Sequence, residues 1–529
     1  MNNLFIENKI LNNKPVIALF IFIYILLILP FLGNIAFDAV VHFVVAERFA
    51  EGYPFLYNIN DTEKVIASTS PFWTILLSII YYIAAGFSPI VIKSISILLW
   101  LAVGYLLKIT AREIWGMNKY STYAVLALWF ANVSIVKNSL GGLENILCAF
   151  LLLLLYIYLM KSQKVFNLKV NIITGLLLGW IILTRIDAGM LALVFVGLYF
   201  FTVPPQSEGK RTNIISSLFV ILFISFIVLL PWYFYQYSET GKLLSDSSVA
   251  RLFTGRRNSI PLFNGMLYFH PNAITILFTA FIPLSIGFLW TTFRLKHKES
   301  PYKLSALVVV ICSVIAYSLI VGADQFGRYF LICMPFFLLA GIKGLQEIFE
   351  VIAEISAASG KIFIILIVSF LVLVNFYDYY KRVVNIEQLE SNIYETFYAP
   401  SYRNVKTSEY LNKLGYKDND SIKLAVTEVQ FKYFVDERVQ VISLDGRSSP
   451  KILKYMNEKG LPDFEKFIEA EKPDVIEVKG WNFERNLMND WEEKIDKMEI
   501  GDSFVWKNNK VTYIMPWHVK IYYNVINIK

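Results

Sequence analysis

The sequence predicts a polytopic α-helical membrane protein with a soluble α/β domain at its C-terminal end, and three observations carry that expectation. Composition is the first. Of 529 residues, 56% are hydrophobic and only 17% charged, with a mean hydropathy of +0.52, whereas an ordinary soluble domain has about 25% charged residues. The second is a series of apolar stretches, each near the roughly 20 residues that a bilayer span requires, centred on residues 24, 98, 130, 152, 177, 195, 223, 282, 312, 336 and 369. The third is a change of character after about Tyr377. Charge becomes frequent and apolar runs shorten over about 150 residues, enough for one soluble domain. The chain therefore divides into a membrane part, 1–377, and an α/β part, 378–529.

The first apolar run, Val16 to Leu32, follows Lys9 and Lys14 and has no small-residue cleavage signal behind it. It reads as an uncleaved span with a cytoplasmic N-terminus. Pro71 to Ala85 is short for a span and decides the topology, because cytoplasmic loops retain Lys and Arg. If it lies in or dips into the outer leaflet, the inner connections hold Lys108, Arg112 and Lys119; Lys161, Lys164 and Lys169; Lys210 and Arg211; Arg294, Lys296 and Lys298; and Lys343 and Lys361. Every even-numbered connection is then basic. About eleven transmembrane helices follow, with the first extracytoplasmic loop at about 34–88 and the C-terminal domain outside.

A balance of +7, from 49 Lys+Arg against 42 Asp+Glu, is too small over this length to be a nucleic-acid footprint. The partners expected are membrane lipids and lipid-borne substrates. Cys148, Cys312 and Cys333 lie in apolar stretches, with neither metal nor disulfide spacing.

This topology collects the unusual polar residues at the outer helix ends: Asp38, His42 and Arg48; Glu144 after Gly141-Gly142; Arg185 and Asp187; Arg251, Arg256 and Arg257; and Asp324 and Arg328. Ionisable groups at membrane boundaries are functional candidates by default. Each also has a plain structural reading. Asp38 suits a helix N-terminus; His42, one helical turn on, suits a satisfied polar neighbour. Glu144 suits a first-turn acid, Arg185 and Asp187 a mutual pair, and the three arginines either a solvated face or a phosphate.

The order of these residues is more specific than any of them singly. Asp38-Ala39, Glu51-Gly52-Tyr53-Pro54, Tyr57-Asn58 and Ser68-Thr69-Ser70-Pro71-Phe72-Trp73, then Ser139-Leu140-Gly141-Gly142-Leu143-Glu144, Leu183-Thr184-Arg185-Ile186-Asp187 and Asp324 with Gly327-Arg328-Tyr329 resemble the GT-C polytopic glycosyltransferases. The likeness is to the branch with arabinofuranosyltransferases and mannosyltransferases. Members typically read Asp-Asp-Ala-Tyr, Arg-Tyr-Ala, Phe-Asn, Thr-Ser-Pro-Leu-Trp, Ser-Gly-Met-Glu and Leu-Thr-Arg-Pro-Glu. This chain departs in having one acid, Asp38, where the family usually has two, and in Val40, Val41, Val44 and Val45.

The resemblance implies sugar transfer on the extracytoplasmic side from a polyprenyl-phosphate donor to a glycan, lipid or protein acceptor. Asp38 is then the candidate base. Arg251, Arg256, Arg257 and Arg328 are candidates for the leaving phosphate. His42, Arg48, Glu144, Arg185, Asp187 and Asp324 are candidates for substrate contact. No cofactor is certain, and a divalent cation is optional.

In the C-terminal part, Ile422 to Val426, Arg438 to Ile442, Asp474 to Val478 and Thr512 to Met515 read as strands, with helices near 401–414 and 463–471. Leu444-Asp445-Gly446 and Lys472-Pro473-Asp474-Val475 look like the tail of many such transferases. Asp445 before Gly446 also reads as a turn residue. Two other classes stay open. A transporter or flippase would place polar groups near mid-bilayer, often in paired halves. A sensor or scaffold would not need acids in several outer turns.

Overall fold

The computed structural model describes residues 37–84, 89–162, 168–202, 211–246, 248–249, 282–293, 304, 306–313, 329–355, 421–426, 432, 437–443, 450–455, 464–478, 503–506, 509–514 and 524–528. The run Val16 to Leu32, the span centred on 369, the helix expected near 401–414 and Asp445 lie outside them. The described helices are α1 (Phe37–Ala50), α2 (Pro71–Ala84), α3 (Pro89–Ile109), α4 (Lys119–Ala131), α5 (Val133–Ser139), α6 (Asn145–Lys161), α7 (Leu168–Thr184), α8 (Ile186–Thr202), α9 (Arg211–Thr240), α10 (Ile282–Phe293), α11 (Met334–Ile355) and α12 (Phe464–Glu471).

Local chemistry sets many of the helix ends. Pro71 opens α2, where its missing N–H costs nothing. The Asn118 side chain accepts from Ser121 N at 2.8 Å to start α4, and Asn132 does the same for α5 through Ile135 N at 3.1 Å. A π-helical turn, Thr110–Ile114, extends α3. With it, the run Val91–Ile114 is long and apolar enough to cross a membrane, as is Ile214–Thr240 in α9. α2, α6, α7 and part of α8 are shorter apolar helices. α2, at 14 residues, falls short of the length for an upright span.

α6 is apolar all round and buried along nearly its whole length, the pattern of a central helix. It packs against α3, α7, α8 and α11. Small residues let outer pairs approach closely. A Cβ on Gly175 or Gly179 of α7 would stand 2.7 Å from Ile224 or Val228 of α9, and Ser225 of α9 donates to the Gly175 carbonyl at 2.9 Å. α10 and α11 cross where Gly287 meets Gly341 and Gly344. The far side of α9 presents Phe219, Phe223, Phe226, Leu230 and Phe234 outward. That is a surface for hydrocarbon rather than water.

In the C-terminal part, β1 (Ile422–Val426), β2 (Val439–Ser443), β3 (Val475–Val478), β4 (Ser503–Trp506), β5 (Asn509–Ile514) and β6 (Asn524–Ile528) form one sheet. Their order is β2-β1-β3-β6-β5-β4. β1 runs parallel to both β2 and β3, with Leu424 opposite Val441 and Val475. The remaining pairs are antiparallel. Ile422, Val439 and Val441 are buried on one face of β1 and β2, and Ala425 and Ile442 on the other. Sequence patterning locates β1, β2, β3, β5 and α12, with β5 beginning three residues before the strand expected at Thr512. It misses β4 and β6, which are short and flanked by Asp, Lys and Asn. β2 is an edge strand, and what covers that edge matters for the site.

Candidate functional site

Glu144 owes its place to a tight turn between α5 and α6. Gly142 sits at φ +79°, and a Cβ there would come within 2.8 Å of the Phe43 ring, so glycine serves both the backbone and the contact with α1. The Trp73 indole donates to the Gly142 carbonyl at 3.2 Å, and the buried Lys93 ammonium donates to the Leu140 carbonyl. These bonds fix the turn. Glu144 then stands at the start of α6 with its side chain making no cap bond, and its carboxylate turns instead to the α7–α8 junction.

Arg185 occupies that junction and engages its whole fork. Nε and Nη2 donate to Asp187 Oδ1 and Oδ2 at 2.9 and 2.8 Å. Nη1 donates to Glu144 Oε1 at 2.5 Å and to Asn145 Oδ1 at 3.3 Å, and the guanidinium lies 4.5 Å from the centre of the Tyr329 ring. Bidentate pairing of this kind is the strong form of an arginine–carboxylate contact. The mutual pair expected from Arg185 and Asp187 is present, with Glu144 as a third member. Burial would raise the Glu144 pKa, yet Arg185 and then His42 outweigh it and hold the carboxyl below the usual range. Burial works against the charge of Arg185 as well; Asp187 and Glu144 reverse that and push its pKa up.

His42 carries the chain across to the first loop. Its Nε2 is 3.2 Å from Glu144 Oε2, a contact without hydrogen-bond alignment, and its Nδ1 is 2.8 Å from Ser68 Oγ. Ser68 Oγ lies 2.7 Å from Thr74 Oγ1 and accepts from Ser70 N at 3.1 Å. Thr74, Ser68, His42, Glu144, Arg185 and Asp187 thus form one continuous polar chain. Asp38 is the second residue of α1, one helical turn before His42.

Arg48 ends the same helix elsewhere. It is 1% exposed and donates from Nη1 to Glu51 Oε2 at 2.6 Å and from Nη2 to Glu437 Oε1 at 2.5 Å. Burial lowers its pKa, and the bond and charge of Glu437 more than restore it. Tyr81 of α2 donates to Glu47 at 3.2 Å and to Glu51 at 3.1 Å. Of the residues singled out from sequence, His42, Glu144, Arg185 and Asp187 come together, Asp38 shares α1 with His42, and Arg48 joins the C-terminal part. Arg251, Arg256, Arg257, Asp324 and Arg328 lie outside the described residues.

Sequence reasoning missed Lys93 and Glu437 as members of this neighbourhood, and it picked out Asn58 and Ser68 only as parts of motifs. Lys93, four residues into the apolar run 89–109, was a readable signal; Glu437 had none. Among the described residues, no group of three or more His, Cys, Asp or Glu is arranged to hold a metal ion. Both Asp187 oxygens face Arg185, and Glu144 faces Arg185 and His42. This cluster therefore does not fit a divalent cation.

No protein-family model matches the sequence, and no curated protein matches it. Solved structures do. ArnT from Cupriavidus metallidurans in the apo state aligns over 97% of this chain and 98% of its own, with a TM-score of 0.55 and 12% identity. The same protein bound to undecaprenyl phosphate aligns over the same shares, with a TM-score of 0.53 and 12% identity. The Archaeoglobus fulgidus oligosaccharyltransferase in the apo form aligns over 83% of this chain and 65% of its own, with a TM-score of 0.50 and 13% identity. At such identities the likeness is one of fold alone.

Proposed function

We propose that this chain, built on the GT-C fold, is a membrane glycosyltransferase that moves a hexosyl or pentosyl group from a polyprenyl-phosphate donor to a hydroxyl of a glycan, lipid or protein. The observation that carries the reading is the fold itself, shared over 97% of the chain with a protein solved with undecaprenyl phosphate bound. The ordered motifs from Asp38 to Tyr329 support it. In this reading eleven spans hold the N-terminus inside. The loop at about 34–88 and the α/β domain, 378–529, lie outside.

Asp38 is the general base. An acceptor hydroxyl has a pKa far above 7, so a carboxylate takes its proton as the oxygen attacks the anomeric carbon and the bond to the lipid phosphate breaks. The products are the glycosylated acceptor, polyprenyl phosphate and a proton held on Asp38. Such a base contributes about 10²- to 10⁴-fold in rate. Charge on the departing phosphate is stabilised by Arg251, Arg256, Arg257 and Arg328, and Asp324 takes sugar hydroxyls. His42, Glu144, Arg185 and Asp187 bond chiefly to one another. Their part is to hold α1, and with it Asp38, against the 139–144 turn.

The test is transfer by purified protein supplied with polyprenyl-phosphate sugars and an acceptor, beside Asp38→Asn. The variant is expected to fold and to lose about two to four orders of magnitude in kcat. Wild-type-like turnover by folded Asp38→Asn removes Asp38 from the base role. Direct use of a nucleotide sugar without a lipid carrier overturns the donor class.

A further inference from the structure

Edge strands need covering, and β2 is covered by side chains from two places. Its outward-facing groups recur every second residue. The Val439 carbonyl accepts from Lys432 Nζ at 3.0 Å. Two residues on, Val441 N donates to Asn58 Oδ1 at 2.9 Å, and Asn58 Nδ2 donates to the Val441 carbonyl at 3.0 Å. The Asn58 amide thus takes both backbone groups of one residue, as a neighbouring strand would. Asn58 is 3% exposed, and its orientation is set by Asp61, whose Oδ2 accepts from Asn58 N and Nδ2 at 3.2 and 2.8 Å.

Three further contacts surround this one. Gln440 donates to Asp61 Oδ1 at 2.6 Å, Lys454 to Glu63 at 3.1 Å, and Glu437 links Lys432, at 3.2 Å, to Arg48. The loop is also held from the other side. Asp246 receives Ile66 N on its carboxylate at 2.8 Å and returns its own N–H to the Ile66 carbonyl at 3.0 Å. Phe49 and Phe55 pack on Trp232 and Tyr235 of α9. Two residues beyond Ile66, Ser68 meets His42.

We propose that β2 is a positioning element for the transfer site, with Asn58 and Glu437 as positioning residues that act on Asp38 through the first loop and α1. The inference rests on the transferase reading above. α1 is one rigid helix: Asp38 lies near its start, His42 is tied to Ser68 and Glu144, and Arg48 near its end is tied to Glu437. Ten residues separate Asp38 from Arg48, about 15 Å of helix, so a small rotation at the Arg48 end displaces the Asp38 end. Misplacement by about 1 Å can cost on the order of 10²-fold in rate.

The experiment compares full-length wild type, Asn58→Leu, which keeps the volume and loses both bonds to Val441, Glu437→Ala, and Glu437→Gln as the conservative variant. Transfer kinetics are read beside hydrogen exchange of residues 51–66. The expected result for Asn58→Leu and Glu437→Ala is faster loop exchange and a kcat lower by about tenfold to a hundredfold, with the donor KM within about twofold. Glu437→Gln recovers part of the loss. Faster exchange with wild-type kcat makes the contact structural only and overturns the proposal, as does unchanged exchange. Wild-type protein inactive with every lipid-linked sugar tried sinks the transferase reading instead; the exchange arm then still tells whether β2 holds the loop.

Discussion

The Glu144–Arg185 cluster and the Arg48–Glu437 junction hold the same helix, α1, by opposite means. In the cluster Glu144 and Arg185 are withdrawn from water, with side-chain exposures of 2% and 13%, so each of these two charges depends on the other. At the junction Arg48 is buried but Glu437 is 46% exposed. Solvent screens that pair, and the geometry comes instead from the two backbone bonds of Asn58. A desolvated ion cluster is all-or-none, whereas a half-wet junction tolerates the loss of a charge more readily than the loss of an amide that imitates a strand.

The largest effect should come from breaking the cluster. Arg185→Met leaves Glu144 buried without its guanidinium and should cost about 3–5 kcal/mol, read as denaturant or thermal unfolding in detergent. Arg185→Lys keeps the charge but not the fork and should fall between wild type and Met. A loss under about 1 kcal/mol for the Met variant would show that the cluster is no more demanding than a surface pair.

Acid should weaken both regions, with the same sign. Glu437 is also held below the usual range, because Lys432 and Arg48 outweigh its burial. A carboxylate whose pKa is lower folded than unfolded stabilises the fold above its unfolded value and loses that contribution as pH falls through the folded one. The unfolded value for Glu is about 4.3. The contribution of the two carboxylates to the thermal midpoint should therefore be flat from neutral pH to about 5 and fall below about 4. The share of Glu144 is isolated by subtracting the pH profile of Glu144→Gln from that of wild type; a difference already shrinking between pH 7 and 5 contradicts the assignment.

The smallest effect belongs to the exposed side of the junction. Glu437→Gln should cost at most about 1 kcal/mol of stability, and about 1 M salt should erase the difference by screening. A larger loss that salt does not touch would mean that the junction is as dry as the cluster.

Much of the helical part was legible because an apolar helix is a local property: a long apolar run needs no knowledge of neighbours. Asp38, Glu144, Arg185 and Asp187 were legible as candidates for the same reason, as acids and bases at the ends of such runs. That Arg185 and Asp187 pair was readable from their separation of two residues. That Arg185 also takes Glu144, 41 residues away, was not. β4 and β6 escaped because short strands draw their stability from partners across the sheet.

The sequence by itself determined a strongly apolar, mainly helical part with its charges gathered at the ends of apolar runs, since hydropathy and motif spacing are carried along the chain. Only the tertiary structure decided which charges meet: Glu144 with Arg185 and His42, Arg48 with a glutamate 389 residues away, and Asn58 with an edge strand. The physical reason is that desolvation makes such contacts specific, and which groups leave water together is settled by packing, not by sequence neighbours.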